Sequence, residues 1–235
     1  MTSSSLLGKG LYSLPEAAWL MGIPIAKLRR WADGYTFQHR GEDRFSKPIF
    51  QRDLVNRQNK SSLTFADLIE LKLVSMFREQ GVSMVTIRAA AQAAVKRFGS
   101  NHPFAIRRFD TDGKRIFATL EDTKVRGISQ ERLVEEIALS QTVMEDIAQP
   151  FFLKLEYEND EVSLFRPLGK GSRIVLDPHR AFGKPIDEKS GVPTFVLYQM
   201  FKGGETIERI AWWYEVDVET VCAAVSYENS LRKAA

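Results

Sequence analysis

Apolar residues along most of this chain recur every three or four positions, the period of helices with one buried face. In a few short stretches they instead flank turn residues, as in hairpins. SLPEAAWLM begins the patterned part: Ser13 can cap a helix, Pro15 suits its first turn, and Glu16 follows the serine by three. That is a capping-box start for a short helix over about 14–20. Gly22 can take the left-handed conformation that ends it. GIPIAKLRRW then predicts a second helix over about 24–32, closed by Asp33-Gly34. YTFQHRGEDRFSKPIF (35–50) sets turn residues between aromatics and reads as a small hairpin, or wing. In TFADLIELKLVSMFREQ (64–80), Phe65, Leu68, Ile69, Leu73, Met76 and Phe77 fall at helical spacing, with Thr64 as cap and Asp67 near the third position. Ser83 opens another helix over about 84–98, and residues 99–103 are a cluster of helix breakers.

Behind that cluster, FAIRRFDTDGKRIFATL (104–120) predicts a β-hairpin through an Asp-Gly turn. Residues 129–148 predict an amphipathic helix carrying Leu133, Val134, Ile137, Met144 and Ile147. FFLKLEYENDEVSLFRP (151–167) predicts a second hairpin, turning at Asn159-Asp160. A helix follows near 193–202, and two short helices close the chain, split at Glu215-Val216-Asp217. The expected class is α+β, mainly α. It comprises a winged helix-turn-helix over 11–99, central hairpins with a helix over 104–173, and a small helix-turn-helix-like bundle over 174–232.

The 235 residues are 44% hydrophobic, enough for a real core. No apolar run approaches the ~20 residues of a membrane span, and the start, read as a flexible tail over 1–10, lacks the pattern of a secretory signal. A cytoplasmic protein with no membrane contact is expected. One cysteine, Cys222, leaves no internal disulfide or multi-cysteine zinc site. Its neighbours Val221, Ala223, Ala224 and Val225 make it read as a small buried residue. Charge changes the picture more. Residues 1–120 hold 19 Lys and Arg against 10 Asp and Glu, whereas 121–235 hold 14 against 20. The front can approach a polyanion; the rear would rather meet a protein.

In a helix-turn-helix the first helix braces the second, and the second lies in the major groove. Leu28 and Trp31 would anchor the second helix, while Lys27, Arg29 and Arg30 would stay wet. His39, Arg40, Arg44 and Lys47 sit in the wing. Together they form an electrostatic footprint for double-stranded DNA. A solvated helix face, the commonest fate of such triplets, is the alternative.

"YSLPEAAWLMGIPIAKLRRW" and "ADLIELKLVSMFREQGVSMVTIRAAAQ" resemble the DNA-binding helices of MerR-type winged-helix regulators over roughly 11–95. By that resemblance Arg29 matches the backbone-contacting arginine. Arg30 replaces the usual aromatic, Pro24 replaces a capping serine, and the family's long coiled coil is missing. The segment 174–229 is similar to a small antitoxin-like domain. The residues carrying that likeness are Asp177-Pro178, Gly183-Lys184-Pro185, Gly191-Val192-Pro193-Thr194, Gly204-Glu205-Thr206, Ile210-Ala211, Tyr214, and Val221 through Ala224. The full layout resembles VapB-type antitoxins, which implies an autorepressor paired with a PIN-like ribonuclease toxin and binding its operator as a homodimer. In this acidic segment Glu205, Glu208, Glu215, Asp217, Glu219 and Glu228 would repel phosphates and suit a basic protein. Trp212, Trp213, Tyr214 and Glu208 are candidate partner-binding residues. Adjacency would turn one tryptophan inward and the other away or into a partner, with core packing of both equally open.

No catalytic constellation is visible. His39, His102 and His179 lack ligand spacing, and Gly-Lys-Gly-Ser at 169–172 lacks the P-loop's spacing. Neither an enzyme nor a cofactor nor a metal site is expected. A ligand-responsive transcription regulator that senses through 104–173 is the second reading, and a pure protein-interaction module the third.

Overall fold

The structure is a computed structural model and describes residues 8–49, 62–121 and 123–234. The wing's expected end at Phe50 and most of the expected tail lie outside the described residues. A short strand β1 (Tyr12–Ser13) leads into α1 (Leu14–Met21). Ser13 Oγ accepts the Glu16 amide, and the Glu16 carboxylate accepts the Ser13 amide, both at 3.3 Å. Gly22 ends α1 at φ 63°, and the Ile23 amide reaches back to the Ala18 carbonyl at 3.0 Å. Helix α2 (Ile25–Asp33) starts at Pro24 and buries Leu28, Trp31 and Ala32. Strands β2 (Tyr35–His39) and β3 (Glu42–Ser46) pair in register from Tyr35↔Ser46 to His39↔Glu42. Arg40 and Gly41 join them at φ 54° and 81°, the two-residue turn whose twist matches paired strands.

Strand β4 (Ser62–Leu63) pairs with β1 and leads into α3 (Phe65–Glu79), where Thr64 and Asp67 cap each other's amides as predicted. Helix α3 is the centre of the molecule. Leu68, Ile69, Leu71, Leu73 and Phe77 are buried along it, and Asp67, Glu70 and Ser75 are buried with them. Helix α4 (Met84–Phe98) is capped by Ser83 and ends at Gly99.

The chain departs from expectation at 104–120, where a helix, α5 (Arg107–Ala118), replaces the first hairpin. Its buried residues Phe109, Gly113, Ile116 and Phe117 follow the helical period. Asp112-Gly113 sits mid-helix, and the Met144 side chain packs close over the bare backbone: a Cβ on Gly113 would lie 2.5 Å from Met144 Cε. The apolar stripe outweighs the local turn preference of Asp-Gly.

Helix α6 (Gln130–Val143) continues through a π-helical stretch, Met144–Ala148, into α7 (Gln149–Phe152). The second hairpin forms where predicted, with β5 (Leu155–Glu158) and β6 (Glu161–Phe165) joined through Asn159 and Asp160, both at positive φ. Strands β7 (Ile174–Leu176) and β8 (Pro185–Asp187) extend it into an antiparallel sheet ordered β5-β6-β7-β8. The rear holds α8 (Thr194–Lys202), α9 (Ile207–Trp213) and the longer α10 (Val218–Ala234). Thr206 caps α9 by accepting the Arg209 amide at 3.3 Å. Asp217, the residue before α10, accepts a hydrogen bond from Arg173 on its carboxylate at 2.6 Å.

One core runs from Tyr12 to Leu231, and a smaller one joins α8, α9 and α10 through Leu197, Ile210, Val221 and Ala224. Helix α10 serves both. Its Tyr227 and Leu231 join the main core, and the Arg232 guanidinium lies 5.4 Å from the Trp19 ring of α1. Thus the first helix of the front is braced by the last helix of the chain.

Candidate nucleic-acid interface

Helix α2 presents one face to the core through Leu28 and Trp31, and this fixes what the opposite face offers. Lys27, Arg29 and Arg30 are all exposed. Arg30 lies over the Tyr35 ring at 5.2 Å, which ties the end of α2 to the start of the wing by a cation–π contact. In the wing, His39, Arg40 and Arg44 are exposed, as is Lys47 just beyond it. Arg40 is at the tip. Arg44 stands opposite Phe37 and 3.7 Å from Glu42, an exposed ion pair worth little. Lys27, Arg29, His39, Arg40 and Lys47 make no ion pair among the described residues. The geometry therefore brings the two predicted groups together: three cations on one helix and a solvent-exposed hairpin directly after it.

Sequence reading missed the residue that holds the wing in place. Arg88, on α4, donates to Ser46 Oγ at 2.8 Å and to the Lys47 carbonyl at 2.7 Å. Helix α4 is itself anchored. The Glu136 carboxylate accepts the Ser83 amide at 2.9 Å and the Thr86 hydroxyl at 2.6 Å. Burial alone would raise the Glu136 pKa, but these bonds and one from Arg132 hold it below the usual carboxylate value. The signal for Arg88 was its place in an Arg88, Gln92, Lys96 stripe at four-residue spacing.

The rear candidates are placed differently from expectation. Neither tryptophan points inward: Trp212 is 73% and Trp213 58% exposed, and they meet each other edge-on with ring centroids 5.2 Å apart. Helix α9 is seven residues long, and its buried side is filled by Ile210 and Ala211. The adjacent positions 212 and 213 fall outside that stripe. Tyr214 is half-buried against the small core, and Glu208 is exposed. Glu228 is not a surface acid. It is fully buried, accepts the Thr194 hydroxyl at 2.6 Å and pairs with Arg232 at 2.8 Å. Cys222, expected inside, is exposed because α10 turns Val221, Ala224 and Val225 to the core instead.

Among the described residues, no group of three or more His, Cys, Asp or Glu could hold a metal ion. No helix among them is long and apolar enough to cross a membrane.

Residues 10–91 match a family described as "Putative DNA-binding HTH domain", and residues 174–227 match "Protein of unknown function (DUF433)". Over 212 residues the chain is 26% identical to "Putative antitoxin VapB45" of Mycobacterium tuberculosis, covering 88% of each protein. It is 25% identical to "Uncharacterized protein Rv2308" of the same organism, across all of this chain and 96% of that one. The crystal structure of Rv2018 from Mycobacterium tuberculosis has the same fold, with a TM-score of 0.69 at 23% identity, over 91% of this chain and 96% of that one. The front of the chain is thus similar to a family described as "Putative DNA-binding HTH domain", and 88% of the chain to a protein named "Putative antitoxin VapB45".

Proposed function

We propose that this protein is a cytoplasmic antitoxin that binds its own operator through its front and a PIN-like ribonuclease toxin through its rear. The observation that carries this reading is the exposure of Lys27, Arg29 and Arg30 on α2, beside a hairpin that packs little of itself into the core. On this reading α2 enters the major groove while α1 braces it, and the wing's cations reach neighbouring phosphates. The resemblance to MerR-type regulators supports that placement. Residues 11–99 are then the DNA-binding unit, 104–173 the connector, and 174–232 the toxin-facing unit. A homodimer would present two such fronts to paired half-sites. Two exposed tryptophans beside Glu208 and Glu215 suit a basic protein partner, since buried tryptophan anchors commonly dominate interfaces.

Replacing Arg29 and Arg30 by glutamate reverses the charge on α2 at exposed positions. We expect the double variant to keep its thermal stability and to lose retention of its upstream DNA in gel-shift assays. Retention equal to that of the unaltered protein would remove the proposed role of α2. For the rear, the product of the adjacent reading frame should co-purify when both are expressed together. A neighbour that is no small nuclease, with none captured, would end the antitoxin reading.

A further inference from the structure

We propose that a groove beside the wing, formed by α4, α5 and residues 119, 120 and 123–126, is a second binding surface for the phosphate backbone of the same duplex. This rests on the DNA-binding reading above and extends it to a surface that reading does not use. The groove encloses ≈ 860 Å³. Five cations line it, Arg88, Lys96, Arg97, Lys124 and Arg126, and no carboxylate does among the described residues. Ala89, Ala93, Ile116 and Leu120 supply its floor.

Three observations favour a nucleic acid here. First, the groove starts at the wing. Arg88, at its near end, holds the Ser46 hydroxyl and the Lys47 carbonyl, so the cationic surface runs on from the wing's base. Second, Arg88, Gln92 and Lys96 fall on one stripe of α4, about 12 Å from end to end at 1.5 Å per residue. Lys124 and Arg126 face that stripe from the loop after α5. Third, Lys96, Lys124 and Arg126 are exposed and make no ion pair among the described residues, whereas Arg97 is 3.4 Å from Asp112. A row of uncompensated cations in a low-dielectric trough concentrates counter-ions, and a duplex that displaces them gains their release.

The test compares salt dependence. The full-length protein is titrated onto a mixed-sequence duplex by fluorescence anisotropy at several sodium chloride concentrations. Three proteins are measured: unaltered, Arg29→Glu with Arg30→Glu, and Lys96→Ala with Lys124→Ala and Arg126→Ala. Each phosphate contact contributes about 0.9 to the slope of log K against log salt, so the triple variant is expected to lower that slope by about 2 to 3. Its affinity at low salt should drop about tenfold or more. Gln92→Lys adds a cation to the stripe and is expected to steepen the slope by about 1. This gain-of-charge variant keeps the test sound should the triple fold poorly, which thermal melting reports. Binding by the unaltered protein that is lost in the α2 variant, with the triple and Gln92→Lys slopes unchanged, overturns the groove alone. The same pattern is expected if the trough takes an acidic peptide. If the unaltered protein does not bind DNA at all, the DNA-binding reading falls and the groove falls with it.

Discussion

Glu70 lies on the inner side of α3 with 1% of its surface exposed. Its Oε1 accepts the Phe104 amide at 2.9 Å. Burial pushes the carboxyl up to about 8, and the opposing pull of His102 and of the Phe104 amide does not offset it. An unfolded chain would lose that proton near 4.5, so folding takes up a proton between about 4.5 and about 8. The acid's contribution is therefore complete below the lower value and is lost as pH rises through the upper one, by at most about 1.4 kcal/mol per pH unit. Glu70→Gln keeps the shape and removes the titration. Its thermal stability should vary less across that window than the unaltered protein's, and the variant should be the more stable of the two on the alkaline side. Parallel pH profiles would refute the assignment. The sequence alone did not mark Glu70, because a glutamate within an apolar period reads as the wet edge of a helix. Only the packing of other elements around α3 puts it inside.

At the scale of elements, the proposed DNA-binding surface depends on how α2 hands the chain to the wing. Gly34 makes that joint at φ 76°, and a Cβ there would stand 2.5 Å from the Ser46 carbonyl oxygen and 2.7 Å from Phe45 Cζ. The oxygen belongs to the backbone of β3 and cannot swing away. Gly34→Ala is expected to lower stability by about 1–3 kcal/mol. It should also weaken DNA retention with every cation intact, read by thermal melting and gel shift. A variant unchanged in both would show that the wing's seat is not set here. Most elements were legible because cap, period and stop agreed: Ser13 with Gly22, Ser83 with Gly99, and Thr64 with Asp67 at the head of α3. The clearest exception is α5, and strands β7 and β8 and the length of α10 were not legible either. Asp112-Gly113 carries a strong local turn preference, and the helical stripe of α5 finds its packing in distant segments, Phe117 against Phe77 and Phe109 against Phe152.

The whole molecule joins its two ends. The Tyr12 hydroxyl donates to the Gly183 carbonyl at 2.6 Å, and α10 packs against α1, so the front is not a free-standing helix pair. The rear, by contrast, leaves Trp212 and Trp213 in solvent. Trp212→Ala with Trp213→Ala should therefore change folding stability by no more than about 0.5 kcal/mol, while reducing capture of a protein partner at least about tenfold. Thermal melting and pull-down of the neighbouring gene product measure the two effects; a large loss of stability would show the pair to be core, not interface. What the sequence by itself determined is local: the helices and hairpins whose caps, periods and stops lie within a few residues of one another, and the cationic front and anionic rear. What only tertiary structure decided is which faces meet. Glu228 goes inside, both tryptophans stay out, Gly113 belongs to a helix, and Arg88 fastens the wing. Glu228, Gly113 and Arg88 each depend on a partner about 30 or more residues away, and no local pattern of hydrophobicity or charge encodes the position of such a partner.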